Sequence, residues 1–275
     1  MELARLNEQQ FQRFRDFIYA RSGIWVDDRK VTLLTNRIRQ RAKAGGFADF
    51  DAYYRRLTSP AGAGELGHFL DAITTNETYF FRTPQHFDWL RTAFISTLLD
   101  EQREGSRGKS FRIWSAGCAS GAEPYTIAIC LAENRFRLPG WDWTILGTDL
   151  SERVLATARE GVFREKALEG VSESQLRRFF GPSRHPDARA VKPEIRDMVR
   201  FEQHNLMNPA PDGPFDCIFI RNVLIYFDRD SKRAVVENLI AALADRGCLI
   251  VGPSEGIYDL LGGLRRESTF VCRKV

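Results

Sequence analysis

Polar side chains that could bind a nucleoside stand where predicted buried strands end. They are Glu123 after WSAGCASGAEPY, Asp149 at the end of WTILGTD, Asn205 in MVRFEQHNL, and Asn222 and Tyr226 in FIRNVLIYFD. In an open α/β sheet, ligands bind at the carboxyl ends of the strands. A carboxylate such as Asp149 can accept hydrogen bonds from both ribose hydroxyls, and an amide such as Asn205 can read an adenine edge. Together these residues predict a ligand that contains adenosine.

The turn after the first strand indicates which adenosine ligand fits. Gly117 and Gly121 frame a run of small residues on whose backbone a ligand can pack. The run is neither G-x-G-x-x-G nor G-x-x-x-x-G-K-[ST], so the usual diphosphate-binding residues are missing. Glu123 beside the turn favours a cationic ligand. S-adenosylmethionine fits because it carries a sulfonium cation and no phosphate.

Each of these signals has a plainer interpretation when taken alone. Glu123 would also suit the first turn of a helix, where a carboxylate interacts favourably with the helix dipole. Asp149 or Ser151 would also suit a helix cap. Both interpretations stay open for each residue considered singly.

The segment TTNETYFFR, residues 74–82, combines polar, charged and aromatic residues just before Pro84. We expect this segment to lie where a helical N-terminal part meets the α/β part that binds the ligand, with its polar side chains facing that ligand. Its aromatics would form an apolar wall beside the sulfonium, because a ring face attracts a cation. The alternative is an interdomain packing segment, which accounts for the aromatics but not for Asn76, Glu77 and Arg82 with them.

Hydrophobic spacing divides the chain into a helical part and an α/β part. Residues 1–83 predict a helical domain, because apolar residues recur at helical spacing and the first two helices stop at Gly23 and at Gly45-Gly46. Residues 84–110 predict a helix near 87–99 and a charged linker, DEQREGSRGKS. Residues 111–275 alternate strands with helices, which predicts a Rossmann-like α/β domain with a parallel sheet. The Pro-rich stretch of about 161–200 predicts an inserted subdomain or lid.

Composition excludes several other classes of protein. The chain has 275 residues and a net charge of +4, which is too mild for a general nucleic-acid binder. We find neither a membrane-length apolar run nor a secretory signal, and we expect a cytoplasmic monomer. The five cysteines are scattered in apolar settings, which predicts reduced, buried thiols, and neither they nor the four histidines have metal-ligand spacing.

The second predicted helix is strongly basic. Arg37, Arg39, Arg41 and Lys43 form like-charge pairs four residues apart, and such pairs repel each other. This arrangement suggests a docking face for an acidic macromolecule. The alternative is a solvated helix face, which is the usual origin of a run of charges.

The motifs together resemble one family. TTNETYFFR, WSAGCASGAEPYTIAI, GTDLS and FIRNVLIYFD look like the signatures, in order, of CheR-type chemotaxis receptor glutamate methyltransferases. The resemblance covers essentially the whole chain. One departure is Ala122, which stands where many relatives have a second glutamate.

The resemblance implies a fold, an activity and a set of site residues. It implies a Rossmann-like domain that transfers methyl groups from S-adenosylmethionine to glutamates on the cytoplasmic helices of chemoreceptors, with S-adenosylhomocysteine as the product. Arg82 and Tyr226 would lie nearest the reacting methyl group. The residues that it implies for cofactor binding are Asn76, Thr78, Arg82, Glu123, Asp149, Asn205, Leu206, Asn222 and Val223.

Two other functions compete with this interpretation. One is a non-catalytic signalling adaptor that senses S-adenosylmethionine, and the other is a small-molecule methyltransferase. Intact Arg82 and Tyr226 argue against the first, and the basic helix argues against the second. N-methylation of a nucleobase is disfavoured, because such enzymes use an Asn/Asp-Pro-Pro-aromatic element and no proline follows Asn222.

Overall fold

The structure is a computed structural model that describes residues 5–74 and 76–275. Residues 1–4 and Thr75, the second residue of TTNETYFFR, lie outside the described residues.

The N-terminal part is helical, as its spacing predicts. Its α-helices are α1 (Glu8–Ser22), α2 (Val31–Ala44), α3 (Phe50–Thr58) and α4 (Ala63–Ile73). Helix α1 begins with a capping box formed by Asn7 and Gln10, and it ends at Gly23, whose φ of 72° suits glycine. The core of this part is aromatic: the ring of Tyr53 lies 6.3 Å from that of Phe14 and 6.2 Å from that of Phe69.

Past Pro84 a kinked helical segment leads to the sheet. It runs as α5 (Pro84–Trp89), a π-turn (Leu90–Phe94) and α6 (Ile95–Arg103). The predicted helix near 87–99 is therefore present but longer. The predicted linker DEQREGSRGKS is wrong in its first residues, because Asp100–Arg103 continue the helix, where an Asp100–Arg103 pair at 2.8 Å supports the last turn.

The α/β part is built on a mostly parallel sheet, which confirms the predicted fold class. The order across the sheet is β6 (Val199–Gln203), β2 (Asp142–Asp149), β1 (Ser110–Ala116), β7 (Phe215–Ile220), β8 (Leu243–Val251), β10 (Val271–Lys274) and β9 (Leu264–Arg266). Strands β6 to β8 in this order run parallel, whereas β10 is antiparallel to β8 and β9. The chain order reverses direction between β1 and β7, so the carboxyl ends of these strands flank the topological switch point.

Helices cover the sheet and fix its strand ends. They are α7 (Ala122–Glu133), α8 (Glu152–Glu160) and α12 (Arg229–Ala242). Helix α7 is buried from Pro124 to Leu131, which its nearly continuous apolar sequence requires. Cysteines 118, 130, 217, 248 and 272 are all buried free thiols, as predicted.

The stretch between α8 and β6 forms a small sheet of its own. Strands β3 (Val162–Arg164), β5 (Ala188–Val191) and β4 (Phe180–Pro182) pair antiparallel, and the short helices α9 (Glu165–Leu168), α10 (Glu173–Phe179) and α11 (Pro193–Arg196) surround them. The predicted insertion of about 161–200 spans this sheet and reaches the first residues of β6. In the part of the chain described, no helix has both the length and the apolar character needed to cross a membrane.

Candidate functional site

The carboxyl ends of the parallel strands open into a solvent-accessible cleft. One wall is the 76–82 segment, another is the end of α1 with Ser22 and Ile24, and the floor is the strand ends. The structure brings every predicted cofactor or catalytic residue to this cleft: Asn76, Thr78, Arg82, Glu123, Asp149, Asn205, Leu206, Asn222, Val223 and Tyr226. Their roles there stay predictions.

The backbone of the glycine turn after β1 is held by close packing and by hydrogen bonds to the protein itself. Gly117 and Gly121 have φ values of 78° and 90°, and a Cβ on Gly117 would lie 2.4 Å from Val223 Cγ2. The N–H groups of Gly117 and Cys118 both donate to the Thr148 carbonyl at 2.8 Å. Because these donors are already used, the turn is poorly suited to cradle a phosphate, which agrees with the prediction of a ligand without a diphosphate.

Asp149 braces this turn. Its Oδ2 accepts from Ala119 N and its Oδ1 from Ser151 N, both at 2.9 Å. The helix cap itself is Ser151, whose hydroxyl accepts from Val154 N at 3.3 Å. Burial raises the pKa of Asp149, although the backbone N–H groups partly oppose this. Each carboxylate oxygen has a second lone pair, so the groups that hold Asp149 leave capacity to accept from a ribose.

Glu123 has a partner that the sequence reasoning missed. Its Oε1 accepts from Ser115 Oγ at 2.7 Å, and its Oε2 accepts from Arg221 Nη1 at 2.7 Å. The Arg221 side chain is only 3% exposed, and its Nη2 donates to the carbonyl of Arg82. A charged residue directly after the apolar strand β7 was the signal available in FIRNVLIYFD. Arg221 therefore links the glycine turn to the 76–82 segment.

The aromatics of TTNETYFFR do not all face the cleft, which corrects the sequence interpretation. Tyr79 lines the cleft, and the Arg82 guanidinium lies 5.6 Å from its ring centre. Phe80 and Phe81 turn inward instead. Phe80 packs edge-on against Phe163 at 4.8 Å, because the backbone N–H of Phe80 is held by the Ala167 carbonyl at 2.9 Å.

Asn205 and Tyr226 also join the two parts of the molecule. Asn205 Nδ2 donates to the Arg21 carbonyl at 2.8 Å, and its Oδ1 accepts from Met207 N at 3.1 Å. One of the two amide hydrogens is thus committed to α1, and the predicted reading of adenine depends on the other. The carbonyl of Tyr226, in the 3₁₀ turn Leu224–Tyr226, accepts from Trp25 N at 2.8 Å.

The predicted docking residues on α2 lie in different settings. Arg41 pairs with Glu65 at 2.8 Å within the helical part, which offsets the predicted repulsion between Arg37 and Arg41. Arg37 donates to the Ile73 carbonyl, and Arg39 Nη1 donates to Asn36 Oδ1 at 2.8 Å. Lys43 is exposed.

A smaller groove joins this helix to the cleft. It is lined by Ile24, Trp25, Val26, Lys30, Leu33, Leu34, Arg37, Ile73 and Tyr226. Ile24, Ile73 and Tyr226 line both the groove and the cleft. We call it the α2 groove. Over the described ranges 5–74 and 76–275, we find no cluster of three or more His, Cys, Asp or Glu side chains that could hold a metal ion.

The comparisons with known proteins agree with this fold and site. Residues 76–266 match the family described as "CheR methyltransferase, SAM binding domain". With the Rossmann-like sheet and its cleft, this match defines an S-adenosylmethionine-dependent methyltransferase. Residues 9–74 match "CheR methyltransferase, all-alpha domain", and the chain belongs to the CheR methyltransferase family.

Similar curated proteins extend over nearly the whole chain. A chemotaxis protein methyltransferase of Salmonella typhimurium is 34% identical over 98% of this chain and 92% of its own length. A chemotaxis protein methyltransferase of Escherichia coli is 35% identical over 94% of this chain and 88% of its own length. A probable chemotaxis protein methyltransferase of Rhizobium etli is 35% identical over 87% and 90%, respectively.

The residues of the cleft fit S-adenosylmethionine. The cleft offers acceptors for ribose hydroxyls at Asp149, whereas the charge of Glu123, which the sequence suggested would favour a cation, is already compensated by Arg221. The N–H groups of Gly117, Cys118 and Gly121 are used within the fold, so these three are not free to bind a phosphate. This set of groups suits an adenosine ligand that carries no phosphate.

Proposed function

We propose that this protein methylates glutamate side-chain carboxylates on the cytoplasmic helices of chemoreceptors, forming glutamyl methyl esters for sensory adaptation. The observation that carries the proposal is that both domains of the CheR family form one cleft. The proposal is supported by the fact that the cofactor residues predicted from the 76–82 segment and from the sheet line this cleft, together with Ser22, Ile24 and Ile73 of the helical part. We further propose that the protein acts as a cytoplasmic monomer.

The reaction asks for alignment rather than proton transfer. When bound, S-adenosylmethionine supplies the methyl group and leaves as S-adenosylhomocysteine. The accepting glutamate has an ordinary pKa of about 4.3, so it is already ionised near pH 7 and needs no general base. Holding two reactants in line contributes up to about 7–11 kcal/mol in well-oriented systems.

Arg82 and Tyr226 are the proposed residues for this alignment. Arg82 is half-buried, its Nη1 donates to the Glu77 carbonyl at 3.3 Å, and its remaining N–H groups are available for a carboxylate. This carboxylate is either that of the glutamate or that of the cofactor. Tyr226 shapes the approach, because it stands between the cleft and the α2 groove.

The proposed receptor surface is the α2 groove with Arg39, Arg41 and Lys43 beyond it. Trp25 and Leu33 are 39% and 48% exposed there, and Lys30 Nζ lies 5.9 Å from the Tyr226 ring centre. A glutamate-rich helix would meet positive charge on the way to Tyr226, which favours association. Arg41 contributes less than the sequence suggested, since Glu65 already compensates its charge.

The first experiment follows the methyl group. Labelled S-adenosylmethionine, this protein and the cytoplasmic fragment of a chemoreceptor from the same cell are incubated together. We expect label on the receptor that mild base releases as methanol, because methyl esters are base-labile. Label that resists base would contradict ester formation. Bound cofactor with no label transferred to any receptor of that cell would favour the non-catalytic sensor.

A further inference from the structure

A buried glutamate outside the cleft controls the shape of the loop that carries Asn222 and Tyr226. Glu255 lies in the segment GPSEG, just after β8, and it is 0% exposed. Its carboxylate accepts from three successive backbone N–H groups, those of Asn222, of Val223 at 3.3 Å and of Leu224 at 2.7 Å. A set of convergent backbone donors of this kind binds an anion.

The loop needs such an acceptor. Asn222 has a φ of 59°, a left-handed conformation that is uncommon outside glycine and persists only where its surroundings hold it. Leu224 is fully buried, so its N–H group would be left without a partner if the carboxylate were removed. Gly252 leaves room for the acid, because a Cβ there would lie 2.5 Å from Glu255 Oε1.

We propose that Glu255 is a positioning residue for methyl transfer. Its carboxylate holds the 222–226 loop so that Asn222 and Val223 face the cofactor and Tyr226 faces the incoming substrate. Glu255 itself lines neither the cleft nor the α2 groove. The link to methyl transfer rests on the proposed function, whereas the link to cofactor binding does not.

Glu255 acts as an anion in this arrangement. Burial raises its pKa, and the three N–H groups and Lys232 oppose that rise. The charged and titratable groups that face it are Lys232 of α12, whose Nζ donates to the Glu255 carbonyl at 2.7 Å, and Tyr258 of the 3₁₀ turn Tyr258–Leu260. Arg221 precedes the loop but turns to Glu123 instead. Protonation of Glu255 would replace an acceptor by a donor opposite the loop.

The test compares Glu255→Gln and Glu255→Asp with Asp216→Asn. Asp216 is a matched control, because it lies near the amino end of β7 and accepts from Arg112 N at 2.7 Å, far along the strand from the loop. The glutamine keeps the size of Glu255 but sets an NH₂ group against backbone donors. We expect Glu255→Gln to lower kcat at least 10-fold and to weaken S-adenosylhomocysteine binding several-fold. Glu255→Asp should recover part of the loss.

A merely structural role would give a different pattern. Asp216→Asn should lower the melting temperature and leave kcat unchanged. If Glu255→Gln also lowered only the melting temperature, with normal kcat and normal cofactor affinity, the proposal would be overturned.

A pH titration of the unaltered protein gives a second readout that needs neither catalysis nor a variant that folds. The backbone N–H resonances of Val223 and Leu224 should shift together as the pH falls, and cofactor affinity should fall over the same range. Val223 and Leu224 resonances that stay constant over the whole pH range in which the protein remains folded would contradict the proposal, because a fall in affinity alone could come from Asp149. If no receptor ester forms but these shifts and the affinity loss occur, the proposed function fails and the positioning of the cofactor loop stands.

Discussion

Single residues of the predicted cofactor site also make structural contacts that the sequence did not predict. Asp149 was predicted to bind a ribose, and it also holds the glycine turn through Ala119. Asn205 was predicted to bind the adenine, and it also holds α1 through the Arg21 carbonyl. Position at a strand end was enough to find these residues, because the carboxyl ends of parallel strands meet at one edge of the sheet.

Arg221 and Glu255 could not be found in that way. Their partners are a carboxylate and backbone groups that lie far away along the chain, at Glu123, Arg82 and the 222–224 loop. Such contacts leave no periodic pattern in the sequence. They depend on how β7 and β8 place their ends side by side, which only the fold shows.

Asp149 gives the first prediction at this scale. Asp149→Asn should weaken S-adenosylhomocysteine binding at least 10-fold near pH 7.5, because its NH₂ group would face one of the two N–H donors, that of Ala119 or that of Ser151, and an acceptor for the ribose would be lost. In the unaltered protein, affinity should fall as the pH drops through the raised pKa of Asp149, where the carboxylate takes up a proton. Calorimetry at several pH values from about 4.5 to about 8, the range in which proteins of this kind usually stay folded, measures both effects.

The control for this prediction is Asp142→Asn. Asp142 is exposed and begins the same strand at the opposite edge of the sheet. Its variant should bind cofactor normally. Equal cofactor affinity in Asp149→Asn and Asp142→Asn would mean that Asp149 takes no part in cofactor binding.

Arg82 gives the second prediction. Arg82→Ala should reduce kcat/KM for the receptor about 100-fold or more, a loss of about 2.7 kcal/mol of transition-state stabilisation. Arg82→Lys should recover only part of it, because a lysine lacks the planar fork that pairs with a carboxylate. Arg103→Ala, an exposed arginine on α6, is the control. Normal turnover together with normal cofactor affinity in Arg82→Ala would exclude its proposed role.

At the scale of elements, periodicity predicted the helices and strands that pack against a core. Periodicity failed for elements whose position depends on contacts with other parts of the chain. The short edge strand β9 pairs only with β10 in the described sheet and has little apolar sequence of its own. The sequence predicted that Phe80 and Phe81 would form an apolar wall for the cofactor. In the structure they anchor the 76–82 segment to the small sheet and to α7 instead.

Helix α2 gives the prediction at this scale. Lys43→Gln combined with Arg39→Gln should raise the KM for the receptor several-fold and leave cofactor affinity unchanged, because charge on this helix acts on the docking step. The effect should shrink as salt is added. Steady-state kinetics with a receptor fragment at two ionic strengths measures it.

Lys109→Gln is the matched control for this change. Lys109 is exposed next to the amino end of β1, at the edge of the sheet away from the cleft. A change in cofactor affinity without any change in receptor KM would refute the docking role of α2.

At the scale of the whole molecule, the candidate cofactor cleft is lined by residues of both parts that the sequence separates near residue 83. Hydrogen bonds across this junction include those from Trp25 N to the Tyr226 carbonyl, from Asn205 to the Arg21 carbonyl, and from Tyr19 to Asp228 at 3.2 Å. The sequence predicted both parts but not how they meet, because two of these bonds end on backbone carbonyls, which every residue offers, and the third joins residues that lie far apart in the chain.

Cofactor binding should therefore stabilise both parts together. S-adenosylhomocysteine at 100 times its Kd should raise the free energy of unfolding by about 2.7 kcal/mol through mass action alone. Since Ser22, Ile24 and Ile73 of the helical part line the cleft, the gain should extend to the Trp25 N–H group, which should exchange its hydrogen more slowly when cofactor is bound. Hydrogen exchange with and without cofactor measures this. Slower exchange confined to residues 111–251 would mean that the helical part takes no share in binding, and the helical part would then serve receptor docking alone.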